Sequence, residues 1–159
     1  MLRYLRLFLI TAFAFTAASA FAEEKITDFD VQIDVQTDGD FIITESISVI
    51  SEGYQIRRGI FRDIPRFQQS GGYKLPQKFK VLSVTRNSEP EPYKTSRAGN
   101  AMRIRIGDKD VFLADGRHTY EITYLAKNQI RYNDQFDEGY WNATGTYWKL
   151  PIERASVNV

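Results

Sequence analysis

Phe29-Asp30-Val31-Gln32-Ile33-Asp34-Val35-Gln36, followed by Thr37-Asp38-Gly39-Asp40 and an Ile-, Thr- and Val-rich run over 41–50, decides the fold class. Apolar residues at 29, 31, 33 and 35 alternate with Asp and Gln, the period of a strand with one face in a core and one in water. Asp-Gly between two such runs is the strongest short-range hairpin signal. The stretch therefore predicts two long antiparallel strands.

The same period recurs outward along the chain. Met102, Ile104 and Ile106 alternate with Arg103 and Arg105, and Tyr120, Ile122 and Tyr124 with Glu121 and Thr123. Strands are predicted at 79–85, 102–106, 119–125 and 152–159. Turn signals separate them at Ser70-Gly71-Gly72, Asn87 to Pro92, Gly107-Asp108 and Asp115-Gly116. Beyond the first 22 residues no window sustains an i, i+3, i+4 apolar stripe. The reading is an all-β, antiparallel β-sandwich, a single domain over residues 23–159. The last run is still alternating at Val159, with neither a turn nor a polar tail after it, so the chain is expected to be a piece of something longer rather than to end on a terminal strand.

Residues 1–22 read as a cleaved signal peptide. Arg3 and Arg6 precede the apolar run 7–15, and Ala18-Ser19-Ala20 and Ala20-Phe21-Ala22 offer cleavage sites. An uncleaved anchor would need about 20 apolar residues to span roughly 30 Å of hydrocarbon, and this core is shorter. An exported, periplasmic or extracytoplasmic protein is expected.

Losing Arg3 and Arg6 takes the formal charge from +1 to −1, which excludes nucleic acid as a partner. The chain has no cysteine, so cysteine-ligated metal and disulfides are excluded. His118 is the single histidine, which excludes a multi-histidine site. No metal and no cofactor is expected.

Two stretches are more specific. One is Arg58-Gly59-Ile60-Phe61-Arg62-Asp63-Ile64-Pro65. The other is Tyr140-Trp141-Asn142-Ala143-Thr144-Gly145, running on to Trp148 and Pro151-Ile152-Glu153-Arg154-Ala155. With Ile26-Thr27-Asp28-Phe29 they resemble the extracytoplasmic N-terminal domain of a bacterial predicted-membrane-protein family, domain of unknown function 2207. Leu82-Ser83-Val84-Thr85-Arg86, Arg103-Ile104-Arg105-Ile106-Gly107 and His118-Thr119-Tyr120 are similar to its intervening blocks. The resemblance implies downstream transmembrane helices in relatives, and no reaction or ligand.

The residues themselves support two kinds of site. If 60–64 is extended, Ile60, Arg62 and Ile64 share one face and Phe61 and Asp63 the other, so Arg62 and Asp63 are not partners. This segment reads either as a ligand loop with Arg62 or Asp63 as polar contact, or as a structural plug. Tyr140, Trp141, Asn142, Thr144, Tyr147 and Trp148 can hold a sugar ring or make ordinary core packing. Asn142-Ala143-Thr144 is a formal glycosylation sequon, a coincidence in a bacterial-type exported protein.

Asp63, Asp134, Asp137, Glu138 and Glu153 supply carboxylates, but no spacing selects a glycosidase pair. The acidic run 134–138 lacks the twelve-residue calcium-loop pattern. Arg62 and Glu153 each place a charge on an apolar face, which predicts that they meet, with Arg58 as the alternative partner. Arg154 points the other way.

The expected function is a non-catalytic interaction or sensor module of a membrane-anchored protein. Its partner would be an unknown protein or envelope component, or the membrane through downstream segments. The alternative is a glycan-binding domain, remotely a glycosidase, using residues 140–148. Buried indoles at Trp141 and Trp148 would favour the scaffold, and exposed coplanar ones the sugar.

Overall fold

The computed structural model describes residues 23–70 and 73–159. The signal-peptide reading and part of the Ser70-Gly71-Gly72 turn lie outside the described residues. Strands β1 (Lys25–Val35) and β2 (Phe41–Ser51) form the expected hairpin, pairing Val35 with Phe41 and Phe29 with Ile47. The turn closes through Gln36 N to Asp40 O at 2.8 Å, and Asp38 Oδ1 accepts from Asp40 N.

Chain order continues with β3 (Ile60–Pro65), β4 (Phe67–Ser70), β5 (Tyr73–Pro76), β6 (Lys78–Arg86) and β7 (Glu89–Pro90). Then come β8 (Tyr93–Ala98), β9 (Ala101–Ile106), β10 (Gly116–Lys127), β11 (Ile130–Arg131), β12 (Glu138–Gly139) and β13 (Ala155–Asn158). One sheet runs β13-β1-β2-β10-β6-β7 and a second β3-β9-β8, while β4-β5 and β11-β12 are small hairpins.

Alternation turns directly into layers. Phe41, Ile43, Ile47 and Val49 of β2 and Tyr120, Ile122, Tyr124 and Ala126 of β10 are buried on one face of the large sheet. Ile60, Ile64, Ile104 and Ile106 of the small sheet join them in one core, so two sheets pack face to face as a sandwich.

Three differences from the sequence reading have physical causes. The final strand is shorter than 152–159, pairs parallel to β1, and leaves Val157 and Val159 46% and 85% exposed. It forms the outer edge of the large sheet, so its alternation does not face the core. Of the apolar residues in the 152–159 run, Ile152, which lies before β13, alone reaches the core, beside a parallel bridge to Ile26. Strand β8 carries polar residues on both faces (Tyr93-Lys94-Thr95-Ser96-Arg97), and the β4-β5 hairpin is four residues a side, so neither displays a period-two signal. Among the described residues no helix is long and apolar enough to cross a membrane.

Candidate functional site

Strand β3 carries the first motif, and its pleat sends Arg62 inward between Ile60 and Ile64. Arg62 is 1% exposed, and it meets Glu45 of β2, 0% exposed. Nε donates to Glu45 Oε2 at 2.7 Å and Nη2 to Oε1 at 2.6 Å, a two-pronged pair. Tyr124 of β10 donates its hydroxyl to the same carboxylate at 2.5 Å. Of the remaining N–H groups, two turn to the second motif, Nη1 donating to Thr144 O at 3.1 Å and Nη2 to Ala143 O at 3.4 Å, and one Nη1 proton goes to Asp63 O at 3.4 Å.

The second motif wraps round this guanidinium. Trp148 donates its indole N–H to Thr144 O at 2.8 Å, and Asn142 Oδ1 accepts from Gly145 N at 3.1 Å. Gly145 has φ +76°, and a Cβ there would lie 2.4 Å from Arg62 Nη1, so the close wrap requires glycine. Phe29 and Trp148 rings stand 5.4 and 5.8 Å from the guanidinium carbon and meet each other edge-on. Trp141 packs against Phe79 and Tyr124 at 6.1 Å each.

Electrostatics follow the geometry. Burial pulls the Arg62 guanidinium down, but the Glu45 carboxylate more than offsets it and holds the arginine above its ordinary value. Burial, with Glu45 adding to it, pushes the Tyr124 phenol well above its ordinary value. The network is neutral overall and its donors are spent within the fold.

Asp63 faces the other way, as the pleat requires. Its carboxylate takes Arg103 Nε at 2.8 Å and Nη2 at 2.6 Å on the outer face of the small sheet. The expected Arg62–Glu153 pair does not form. Glu153 lies just before the edge strand and binds Lys25 Nζ at 2.7 Å, half-exposed. Arg154 pairs with Asp28 at the surface. Arg58 is not a partner of Glu153 either; it lies in the loop before β3 against Phe112. Glu45 was missed, although it interrupts the inward face Ile43-Glu45-Ile47 as plainly as Arg62 interrupts its own.

A second buried carboxylate was also missed. Glu24 accepts backbone N–H groups from Glu52, Tyr54, Gln55 and Ile56, which cradle it just before β1. Burial raises its pKa, and these bonds together outweigh that and leave it below the usual carboxylate range.

Two cavities flank the Arg62 junction. One of about 280 Å³ is lined by Phe67, Phe79, Tyr140 and Trp141 with the amides of Gln68, Gln77, Gln129 and Asn142. Its amides are chained: Gln129 donates to Gln77 and Gln77 to Gln68. The other, about 320 Å³, lies between Phe61, Asp63, Arg103, Tyr147 and Trp148. His118 is buried, and Ala114 O lies 2.8 Å from its Nε2. Among the described residues no cluster of three His, Asp or Glu side chains could hold a metal.

A family model described as the N-terminal domain of predicted membrane proteins (DUF2207) matches residues 25–159. The chain is 34% identical to the uncharacterized protein YciQ of Escherichia coli K12 over 138 residues, covering 86% of this chain and 22% of that protein. It thus spans about a fifth of that relative's length. Among solved structures, native yeast LTA4 hydrolase is similar with a TM-score of 0.47 at 8% identity, over 65% of this chain and 14% of that one. A two-domain M1 zinc metallopeptidase mutant bound to L-arginine gives 0.45 at 10% identity, over 71% and 22%. Likenesses at this level carry no inference about activity.

Proposed function

The chain belongs to this family of predicted membrane proteins, and we propose that it is a non-catalytic interaction or sensor module, exported to the outer side of the cytoplasmic membrane. The carrying observation is that Arg62 spends its hydrogen-bonding capacity on Glu45 and the carbonyls of Asp63, Thr144 and Ala143. The motif that could have been reactive is the bolt between the two sheets and the 140–148 segment. His118, the one histidine, is buried with a backbone partner and reaches no hydroxyl nucleophile among its hydrogen bonds. The half-buried, core-packed indoles of Trp141 and Trp148 support the same reading. A partner protein or envelope component would meet the exposed rim, where Tyr140 and Tyr147 are 55% and 48% exposed.

The test is photo-crosslinking in cells from a reactive residue placed at Tyr140 or Tyr147, beside fractionation and incubation with isolated envelope. Discrete adducts outside the cytoplasm with no release of sugar or peptide support the proposal. Release that a single point substitution abolishes would make the protein an enzyme and end it.

A glycan-binding reading is favoured by one observation, the amide-chained, aromatic-walled cavity beside Tyr140. Envelope glycan fragments should then shift the Trp141 fluorescence, and Gln77→Leu should abolish the shift. No response to any fragment removes this reading.

A further inference from the structure

The loop entering β3 crosses the loop leaving β9 at one end of the small sheet. Gly59 and Gly107 have φ of +111° and +112°; a Cβ would fall 1.8 Å from Ile106 O in the first and 2.1 Å from Arg58 O in the second. Backbone on backbone, the crossing fixes where Arg57 and Arg58 stand. Both guanidinium carbons lie over the Phe112 ring, at 5.3 and 4.2 Å from its centroid.

A depression of about 240 Å³ opens beside them, lined by Arg57, Arg58, Arg105 and Lys109, with Phe61 at its wall and no carboxylate among the described lining. Lys109 shares its charge with Asp110. Arg57, Arg58 and Arg105 make no ion pair among the described residues, in contrast to Arg62 and Arg103. Lys94 stands opposite Arg105 on β8. Such a concentration of cations is local, because the whole chain carries a formal charge of only +1. Next to it, Phe61, Val111 and Phe112 are 53%, 56% and 57% exposed.

Cations with unspent donors beside exposed apolar side chains match one kind of surface: phosphate groups above hydrocarbon. The arginine fork fits phosphate oxygens, and aromatic and aliphatic side chains gain by entering the interface. A free anion would satisfy the arginines and leave Val111 and Phe112 in water. We propose that this rim is a membrane-docking face, in which Arg57, Arg58 and Arg105 take the phosphates of anionic phospholipids while Val111 and Phe112 enter the bilayer interface. The family's membrane character brings a bilayer within reach, and the inference does not depend on what either cavity holds.

The experiment is sedimentation of the purified chain with vesicles of phosphatidylcholine, with and without phosphatidylglycerol. Any contribution from residues 1–22 is common to every variant and cancels in the comparison. Binding should favour the anionic vesicles and weaken as salt is raised. Arg57→Glu, Arg58→Glu and Arg105→Glu combined should lower it at least ~10-fold. Phe112→Ser, which keeps every cation, should lower it too. Unchanged thermal midpoints show that the fold is intact, and the milder Arg57→Gln with Arg58→Gln serves if the triple variant misfolds. Equal binding to both vesicle types, anionic binding indifferent to the arginine changes, or displacement by millimolar inorganic phosphate would each overturn the proposal.

Discussion

Arg62 of β3 and Glu45 of β2 join the two sheets of the sandwich through a pair of hydrogen bonds of 2.7 and 2.6 Å, with neither side chain open to water. Two charges withdrawn from solvent are tolerated because they face each other and further partners complete them: Tyr124 on the carboxylate, and the Asp63, Thr144 and Ala143 carbonyls on the guanidinium.

Breaking this pair from one side strands the other charge. Arg62→Met or Glu45→Gln should each cost about 3–5 kcal/mol, measured by denaturant unfolding. The double change Arg62→Met with Glu45→Met removes both charges and should cost less than either single change. Glu153→Ala, by contrast, removes a half-exposed pair and should cost no more than about 1 kcal/mol. Single variants as stable as the parent would contradict the role given to the pair.

Gly145 should be intolerant of substitution. Its left-handed backbone and the 2.4 Å that would separate an added Cβ from Arg62 Nη1 both penalise alanine. Gly145→Ala should lower stability by about 1–3 kcal/mol, with a larger effect than Gly99→Ala, where a Cβ meets nothing within 4 Å. The Gly145 penalty should shrink in an Arg62→Met background, a coupling that a double-mutant cycle reads directly.

Acid should weaken the protein partly through Glu24. A carboxyl whose folded pKa is depressed contributes stability above its ordinary value of 4.5 and loses it as pH falls through the lower folded value. Glu24→Gln should therefore reduce stability at pH 7 and flatten the dependence below about pH 4.5. A variant whose acid limb coincides with the parent's would rule out Glu24 as its source.

At the alkaline end the sign reverses. Burial, first of all, raises the phenols of Tyr120 and Tyr124 above the ordinary 10.0. Groups with raised folded values add stability that is fully present below 10 and lost as pH climbs beyond it. Absorbance of tyrosinate should show the Tyr120 and Tyr124 phenols ionising only as the protein unfolds. Ionisation of either phenol while the protein stays folded would disprove this.

Much of this architecture was legible in the chain itself, because strand alternation is a local property. Residues 29–50 declared a hairpin, and 102–106 and 119–125 declared half-buried strands, through side chains two apart that share a face whatever lies opposite. The same rule put Arg62 and Asp63 on opposite sides of one strand. Which carboxylate would meet Arg62 was a different matter. Glu153 was read as a charge on an apolar face and Glu45, which breaks one as plainly, was passed over. The sheet order separates them: β2 lies in the interior of its sheet beneath β3, whereas the Glu153 segment runs along the outer edge, where water solvates a carboxylate without help. The cradle around Glu24 and the backbone crossing at Gly59 and Gly107 likewise bring together residues far apart in sequence. Periodicity fixes the face a residue presents; only the packing of one sheet on another decides what that face meets.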